Sequence, residues 1–99
     1  MITYEITATV QPDLIEAYEN YMIDRHITHL METGYFASAT FSRNSGRYRI
    51  RYEAHDRNAL TNYLKDHAAR LRDDFAAHFP TGVELSRDTW DVVTAFFSE

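Results

Sequence analysis

Hydrophobic and polar residues alternate without a break over the first ten positions. Ile2, Tyr4, Ile6, Ala8 and Val10 fall on one side, and Thr3, Glu5, Thr7 and Thr9 on the other. A period of two with β-branched enrichment predicts a strand with one buried face. Pro12 suits the first turn of a helix, where its missing N–H costs nothing, and Asp13 and Glu16 complement the dipole there. Helical spacing continues to Thr33, and Gly34 predicts a left-handed stop. A second alternating run, YFASATFSR, puts Tyr35, Ala37, Ala39 and Phe41 together. Asn44, Ser45 and Gly46 are short enough to turn a hairpin, with Gly46 free to take positive φ. In the third run Tyr48, Ile50, Tyr52 and Ala54 oppose Arg47, Arg49, Arg51, Glu53 and His55. Asp56 predicts the N-cap of a second helix, on which Leu60, Leu64, Leu71 and Phe75 recur until Pro80 and Gly82 end it. The remainder, VELSRDTWDVVTAFF, predicts a last strand and an apolar tail. Arg87 and Asp88 break its alternation and leave the register open.

The order is β-α-β-β-α-β. Short connections and right-handed crossovers make this an α+β, ferredoxin-like sandwich: an antiparallel sheet with both helices on one face and the first and third strands central. A chain of 99 residues forms one domain, 1–99, with a modest core to which self-association would add.

Composition narrows the function classes. The chain has no cysteine, which removes disulfides and thiolate metal sites. Its start, MITYEITATV, has neither the basic region nor the apolar run of a signal peptide, and no stretch approaches the ~18 apolar residues of a membrane span. The expectation is a soluble, cytoplasmic protein without membrane contact. A net charge of −5 argues against a broad phosphate-binding surface.

The sheet face turned away from the helices carries Thr3, Glu5, Thr7, Thr9, Ser38, Thr40, Arg49, Arg51 and Glu53. RNA-binding domains of this topology stack bases on aromatic rings there, whereas here the tyrosines of the third strand point inward, so no nucleic-acid partner is expected. The charged row is either a solvated face with cross-strand Glu–Arg pairs or the inner wall of a homodimer in which two sheets pack face to face. The homodimer is the expectation. It would enclose Glu5, Arg49, Arg51 and Glu53, and Val92, Val93, Phe96 and Phe97 of the tail would lie across the partner.

RHITHL, residues 25–30, places two histidines three apart. At about 100° per residue, Ile15, Tyr18, Met22, His26 and His29 share one stripe of the first helix. The same count puts His67 between Leu64 and Leu71 on the inward stripe of the second helix, with His78 further along and His67 at a height comparable to His26. Four of the five histidines therefore face the layer that holds Tyr4, Tyr48 and Tyr52. That polar cluster is either a set of groups that satisfy one another, aided by a buried water, or the wall of a small pocket. A metal site is not expected. H-x-x-H lacks further ligands, and the H-E-x-x-H signature is absent. No phosphate loop, Ser–His–Asp constellation or paired-carboxylate signature is visible.

RHITHLMETGYFASATF, followed by YRIRYEA and LKDHAARLR, resembles a family of small bacterial proteins of unassigned function. That family sits within the dimeric α/β-barrel group that includes the antibiotic-biosynthesis monooxygenases. The resemblance covers nearly the full length and rests on His26, Ile27, Thr33, Gly34, Phe36, His67, Ala68, Leu71 and Arg72. Pro is common in the family where Thr28 stands. The resemblance implies a ferredoxin-like protomer and a homodimer, and it implies no activity. Three functions stay open. The first is a homodimer holding a small organic ligand against His29, Tyr4, Tyr48 and Tyr52. The second is a cofactor-independent enzyme (monooxygenase, isomerase or decarboxylase) with His26 or His67 as general acid–base. The third is an oligomeric module with a satisfied polar core.

Overall fold

The computed structural model describes residues 1–99. Four strands, β1 (Ile2–Val10), β2 (Phe36–Asn44), β3 (Arg47–Ala54) and β4 (Val83–Asp91), form one antiparallel sheet in the order β2-β3-β1-β4. The first and third strands are central, as expected. The β1 alternation holds through Ile2, Tyr4, Ile6, Ala8 and Val10, all buried, and Tyr48, Ile50, Tyr52 and Ala54 of β3 are buried beside them. Helices complete a core cluster of 19 buried residues with Tyr18, Tyr21, Met22, Leu30, Leu60, Tyr63, Ala68, Leu71 and Phe75.

Both helices are interrupted where the sequence predicts continuity. After a 3-10 turn at Pro12–Leu14, helix α1 (Ile15–Tyr21) passes through a π-helical turn, Met22–His26, into α2 (Ile27–Glu32). The inward residues here are four apart: Tyr18, Met22, His26 and Leu30. In an unbroken α-helix that spacing drifts by about 40° per step, and one wider turn cancels the drift. Thr28 follows the wider pitch, its hydroxyl donating to the Ile23 carbonyl at 2.9 Å. The second helix is likewise two, α3 (Arg57–Asp66) and α4 (Ala68–His78), parted at His67, whose backbone (φ −128°, ψ −31°) leaves the helical region. The break moves the buried stripe to Leu60, Tyr63, Ala68, Leu71 and Phe75. Leu64, expected inside, is 40% exposed, and His67 is a half-buried hinge residue instead of a member of the stripe.

Two further corrections concern β2 and its hairpin. A bulge between Phe36 and Ser38 shifts the register, so Phe36 is buried, Ala39 and Phe41 face inward after it, and Ala37 is exposed. In the hairpin, Ser45 takes positive φ (56°), not Gly46. A Cβ at Gly46 would stand 3.1 Å from the Val10 carbonyl oxygen, a tight contact that glycine avoids. Gly34 does end the first helix in the left-handed region (φ 83°). The register of β4, open in the sequence, pairs Ile6 with Arg87 and Tyr4 with Thr89, so Val83, Leu85, Arg87 and Thr89 face the helices.

The Asp56 cap forms as expected, its carboxylate accepting from the Ala59 N–H at 2.7 Å. Asp56→Ala should therefore lower the unfolding free energy by about 1 kcal/mol in urea titrations, and Asp56→Ser should recover most of it.

Candidate functional site

Between the helices and the sheet lies a cavity of about 30 Å³, lined by Tyr4, Ile6, Tyr18, Met22, His26, Ile50, Tyr63, Arg72, Phe75, Leu85 and Arg87. The π-turn delivers His26 to it as its last residue, and the β4 register delivers Arg87. By volume it holds about two waters at most.

Its polar inventory is unusual for a core. His26 is 8% exposed, with Tyr21 and Phe75 rings 5.9 and 5.8 Å away, and its Nδ1 is buried without a hydrogen-bond partner. The hydroxyls of Tyr18 and Tyr52 are likewise buried and unpaired. Each such atom costs about 1–3 kcal/mol relative to a satisfied one. The histidine and tyrosines therefore do not satisfy one another. Tyr4 is the exception, its hydroxyl accepting from Arg72 at 3.0 Å.

Burial fixes the protonation states. It pushes the His26 imidazole down to about 4, against the Asp74 carboxylate that opposes the shift and with the Arg87 and His29 charges that add to it. Burial also raises the Tyr18, Tyr52 and Tyr63 phenols above their ordinary value. At neutral pH the cavity thus has a neutral imidazole, protonated phenols, and permanently charged guanidiniums at Arg72 and Arg87.

The other residues expected at the site lie elsewhere. Tyr48 is buried, but its hydroxyl donates to Glu19 at 2.5 Å, and its ring stacks on Phe41 and packs tilted against Tyr18. Tyr52 is inside the core and does not line the cavity. His29 and His67 come together in a separate, open dish with Glu32, Thr33 and Arg70, where Arg70 stands 3.2 Å from His67 Nδ1. His78 is exposed; its ring lies 4.5 Å from that of Tyr21, and its Nδ1 meets the Asp74 carbonyl oxygen. His26 is thus the one histidine that reaches the helix–sheet cavity. Tyr63, Arg72 and Arg87 line it without having been foreseen there. The signal for Arg87 was its break in the β4 alternation, a charged residue on a core-facing register position.

On the opposite sheet face, the Glu5 carboxylate collects Arg49 at 3.6 Å, Arg51 at 4.0 Å and the Trp90 indole N–H at 2.9 Å, while the Thr3 hydroxyl donates to Glu53 at 2.7 Å. No group of three or more His, Cys, Asp or Glu side chains is placed to hold a metal ion. No helix is long and apolar enough to cross a membrane.

Residues 1–93 match the family model described as a domain of unknown function, DUF4286, and the chain belongs to that family. No curated protein matches the sequence. Among solved structures, the fold is similar to MupZ from Pseudomonas fluorescens (18% identity, 89% of this chain and 69% of that one, TM-score 0.71). It is also similar to Rv0793 from Mycobacterium tuberculosis (12% identity, 96% and 98%, TM-score 0.64). A third similar structure is that of an antibiotic biosynthesis monooxygenase (18% identity, 95% and 100%, TM-score 0.55). The ferredoxin-like fold is therefore the one that antibiotic biosynthesis monooxygenase-type proteins share.

The buried neutral imidazole gives stability a defined pH dependence. The unfolded chain binds a proton at His26 near pH 6.5, whereas the folded chain resists until about pH 4. The contribution is whole above pH 6.5 and is lost as pH falls through that window, amounting to about 3 kcal/mol in order of magnitude. Asp74, held well below the usual carboxylate range by Arg25 and Tyr21, acts only at lower pH. The unfolding free energy of the wild type should fall more steeply between pH 6.5 and 4 than that of His26→Gln, as measured by denaturant titration. Parallel curves would refute the assignment.

Proposed function

We propose that this DUF4286 protein is a homodimer whose protomers each hold a small organic ligand in the cavity between helices and sheet. The observation that carries the ligand reading is the set of buried, unpaired polar atoms at and beside that cavity, the His26 Nδ1 and the Tyr18 and Tyr52 hydroxyls. A core evolved only for stability gains nothing from them, since an apolar side chain of similar shape avoids the desolvation cost. Convergent donors and a neutral imidazole at one concave site are what a ligand with a hydroxyl or carbonyl requires. The cavity is closed down to about 30 Å³, but its rim residues Arg72 and Arg87 are exposed and flexible side chains. Entry therefore needs side-chain movement, not opening of the sheet.

The homodimer is supported by what a single chain leaves in water. Val93, Phe96 and Phe97 are 95%, 90% and 88% exposed, and Trp90 is half exposed at the same end. Consecutive large apolar side chains with no cover in their own protomer mark an interaction surface. On the open sheet face beside them Glu5 is paired with Arg49 and Arg51, and Glu53 accepts a hydrogen bond from the Thr3 hydroxyl. In a dimer the Glu53 carboxylate would need a cation from the partner's face, and the arginines there can supply one.

A second reading, a cofactor-independent enzyme, is favoured by one observation. The His26 Nδ1 is buried at the cavity without a partner, so it is free to meet an acidic O–H or C–H group of a bound molecule. Burial makes the free ring a weak base, which such a molecule would have to strengthen. This is the acid–base role expected for His26; the separate dish around His67 offers no comparable enclosure.

Phenol, titrated against the protein, should shift the methyl resonance of Met22 and the ring resonances of Tyr63. At pH 8, His26→Leu should leave stability unchanged or raise it by up to about 2 kcal/mol and should weaken phenol binding. A loss of about 1–3 kcal/mol with unchanged phenol binding would identify a satisfied core histidine. For the assembly, ending the chain after Asp91 should convert a dimer to a monomer by sedimentation velocity, with the far-ultraviolet dichroism unchanged. A monomeric full-length protein would overturn the dimer.

A further inference from the structure

We propose that the ligand of the His26 cavity is a small organic anion, its carboxylate bridged by Arg72 and Arg87 at the mouth and its body turned toward Tyr63, Phe75 and His26. The inference rests on the ligand-binding reading above and adds the chemical class. Of nine arginines, those at 25, 43, 49, 51 and 57 each have an acidic partner within 4.0 Å; Arg47, Arg70, Arg72 and Arg87 have none, and the last two line this cavity together. The chain is not short of acids, with fifteen Asp and Glu against ten Lys and Arg. Asp74, the acid whose charge reaches His26, is committed to Arg25 through two hydrogen bonds of 2.8 Å and to the Tyr21 hydroxyl at 2.7 Å. It has no guanidinium from the cavity.

The two arginines also arrive there by independent routes. Arg72 comes from α4, one residue after the buried Leu71, and is anchored by donating to the Tyr4 hydroxyl at 3.0 Å. That bond uses one N–H of five and leaves the fork available. Arg87 comes from the edge strand, on the helix-facing side opposite Ile6, where an apolar residue would otherwise continue the row of Val83 and Leu85. Two unneutralised cations at the lip of an apolar chamber repel each other, and a planar carboxylate satisfies both through paired N–H donors. The interior complements this. The walls are aromatic and aliphatic, and the buried, unpaired Tyr18 hydroxyl and His26 Nδ1 meet a polar substituent at the far end of the ligand. The present volume of about 30 Å³ does not admit a ring as it stands, so an occupant must displace the Arg72 and Arg87 side chains at the rim and be compact.

The test compares benzoate with benzamide, which has the same shape and no charge, by amide and ring chemical-shift titration of the full chain and of Arg87→Gln. Arg87 is exposed, so the substitution should leave the dispersed spectrum intact. Benzoate should perturb Met22, Tyr63 and Leu85 and bind at least about tenfold more tightly than benzamide, as a charge-assisted pair implies. Arg87→Gln should remove most of that preference while leaving benzamide unaffected. Equal binding of the two probes, insensitive to Arg87→Gln, would overturn the anion assignment and keep the ligand reading. If phenol, benzoate and benzamide all leave the cavity resonances unmoved, both fail together.

Discussion

The fold depends on how one layer of aromatic side chains is packed between a four-stranded sheet and the helices that cover it. Tyr4, Tyr52, Phe36 and Tyr63 interlock in one group and Tyr18, Tyr48 and Phe75 in a second, with centroid separations of about 5–6.5 Å. Each ring brings a large apolar area, which suits a chain too short for a deep aliphatic core. Each tyrosine also brings a hydroxyl, and the layer has few acceptors for them. Tyr48 reaches outward to Glu19, Tyr21 to Asp74, and Tyr4 meets Arg72, but Tyr18 and Tyr52 end inside. Of these leftover groups, Tyr18 lines the cavity together with His26.

The backbone irregularities follow from the same packing. The π-turn keeps Tyr18, Met22, His26 and Leu30 on one line, and the break at His67 lets Tyr63 and Ala68 both turn inward. Without the wider turn, Leu30 would rotate away from the layer by roughly a third of a revolution relative to Tyr18. The site and the helix defects are thus two expressions of one requirement, that bulky rings from facing elements share a single plane.

Much of this was legible in the sequence because strands announce themselves by a strict period of two. The alternation in Ile2–Val10 and in Tyr48–Ala54 fixes which residues face the helices, and element order then fixes the sheet. Helical periodicity is less exact, and a wheel of 100° per residue cannot register an extra residue in one turn. That is why His29 was expected beside His26 and why Leu64 was expected in place of Tyr63. The bulge at Ala37 is invisible for the same reason: one inserted residue inverts the face of what precedes it. Of the site, His26 and Tyr4 were legible from their faces. Tyr63, Arg72 and Arg87 were not, because each depends on an interruption or a pairing register that only the assembled fold sets.

Arg87 illustrates how a failure of pattern carries information. Alternation along β4 assigns positions 83, 85, 87 and 89 to the helix side, and the first two are apolar and half buried. An arginine in the third place ends the apolar row of the edge strand and leaves that position exposed. It also adds a charge beside an imidazole that burial already holds neutral. Neither effect stabilises the monomer. Arg87 is exposed, so water solvates its charge in the free protein, and the anion proposed above would replace that water. The buried Nδ1 of His26 and the Tyr18 hydroxyl have no partner. Polar and charged groups that oppose stability are thus gathered from three separate elements around a single void, and the ligand proposed above would satisfy them together.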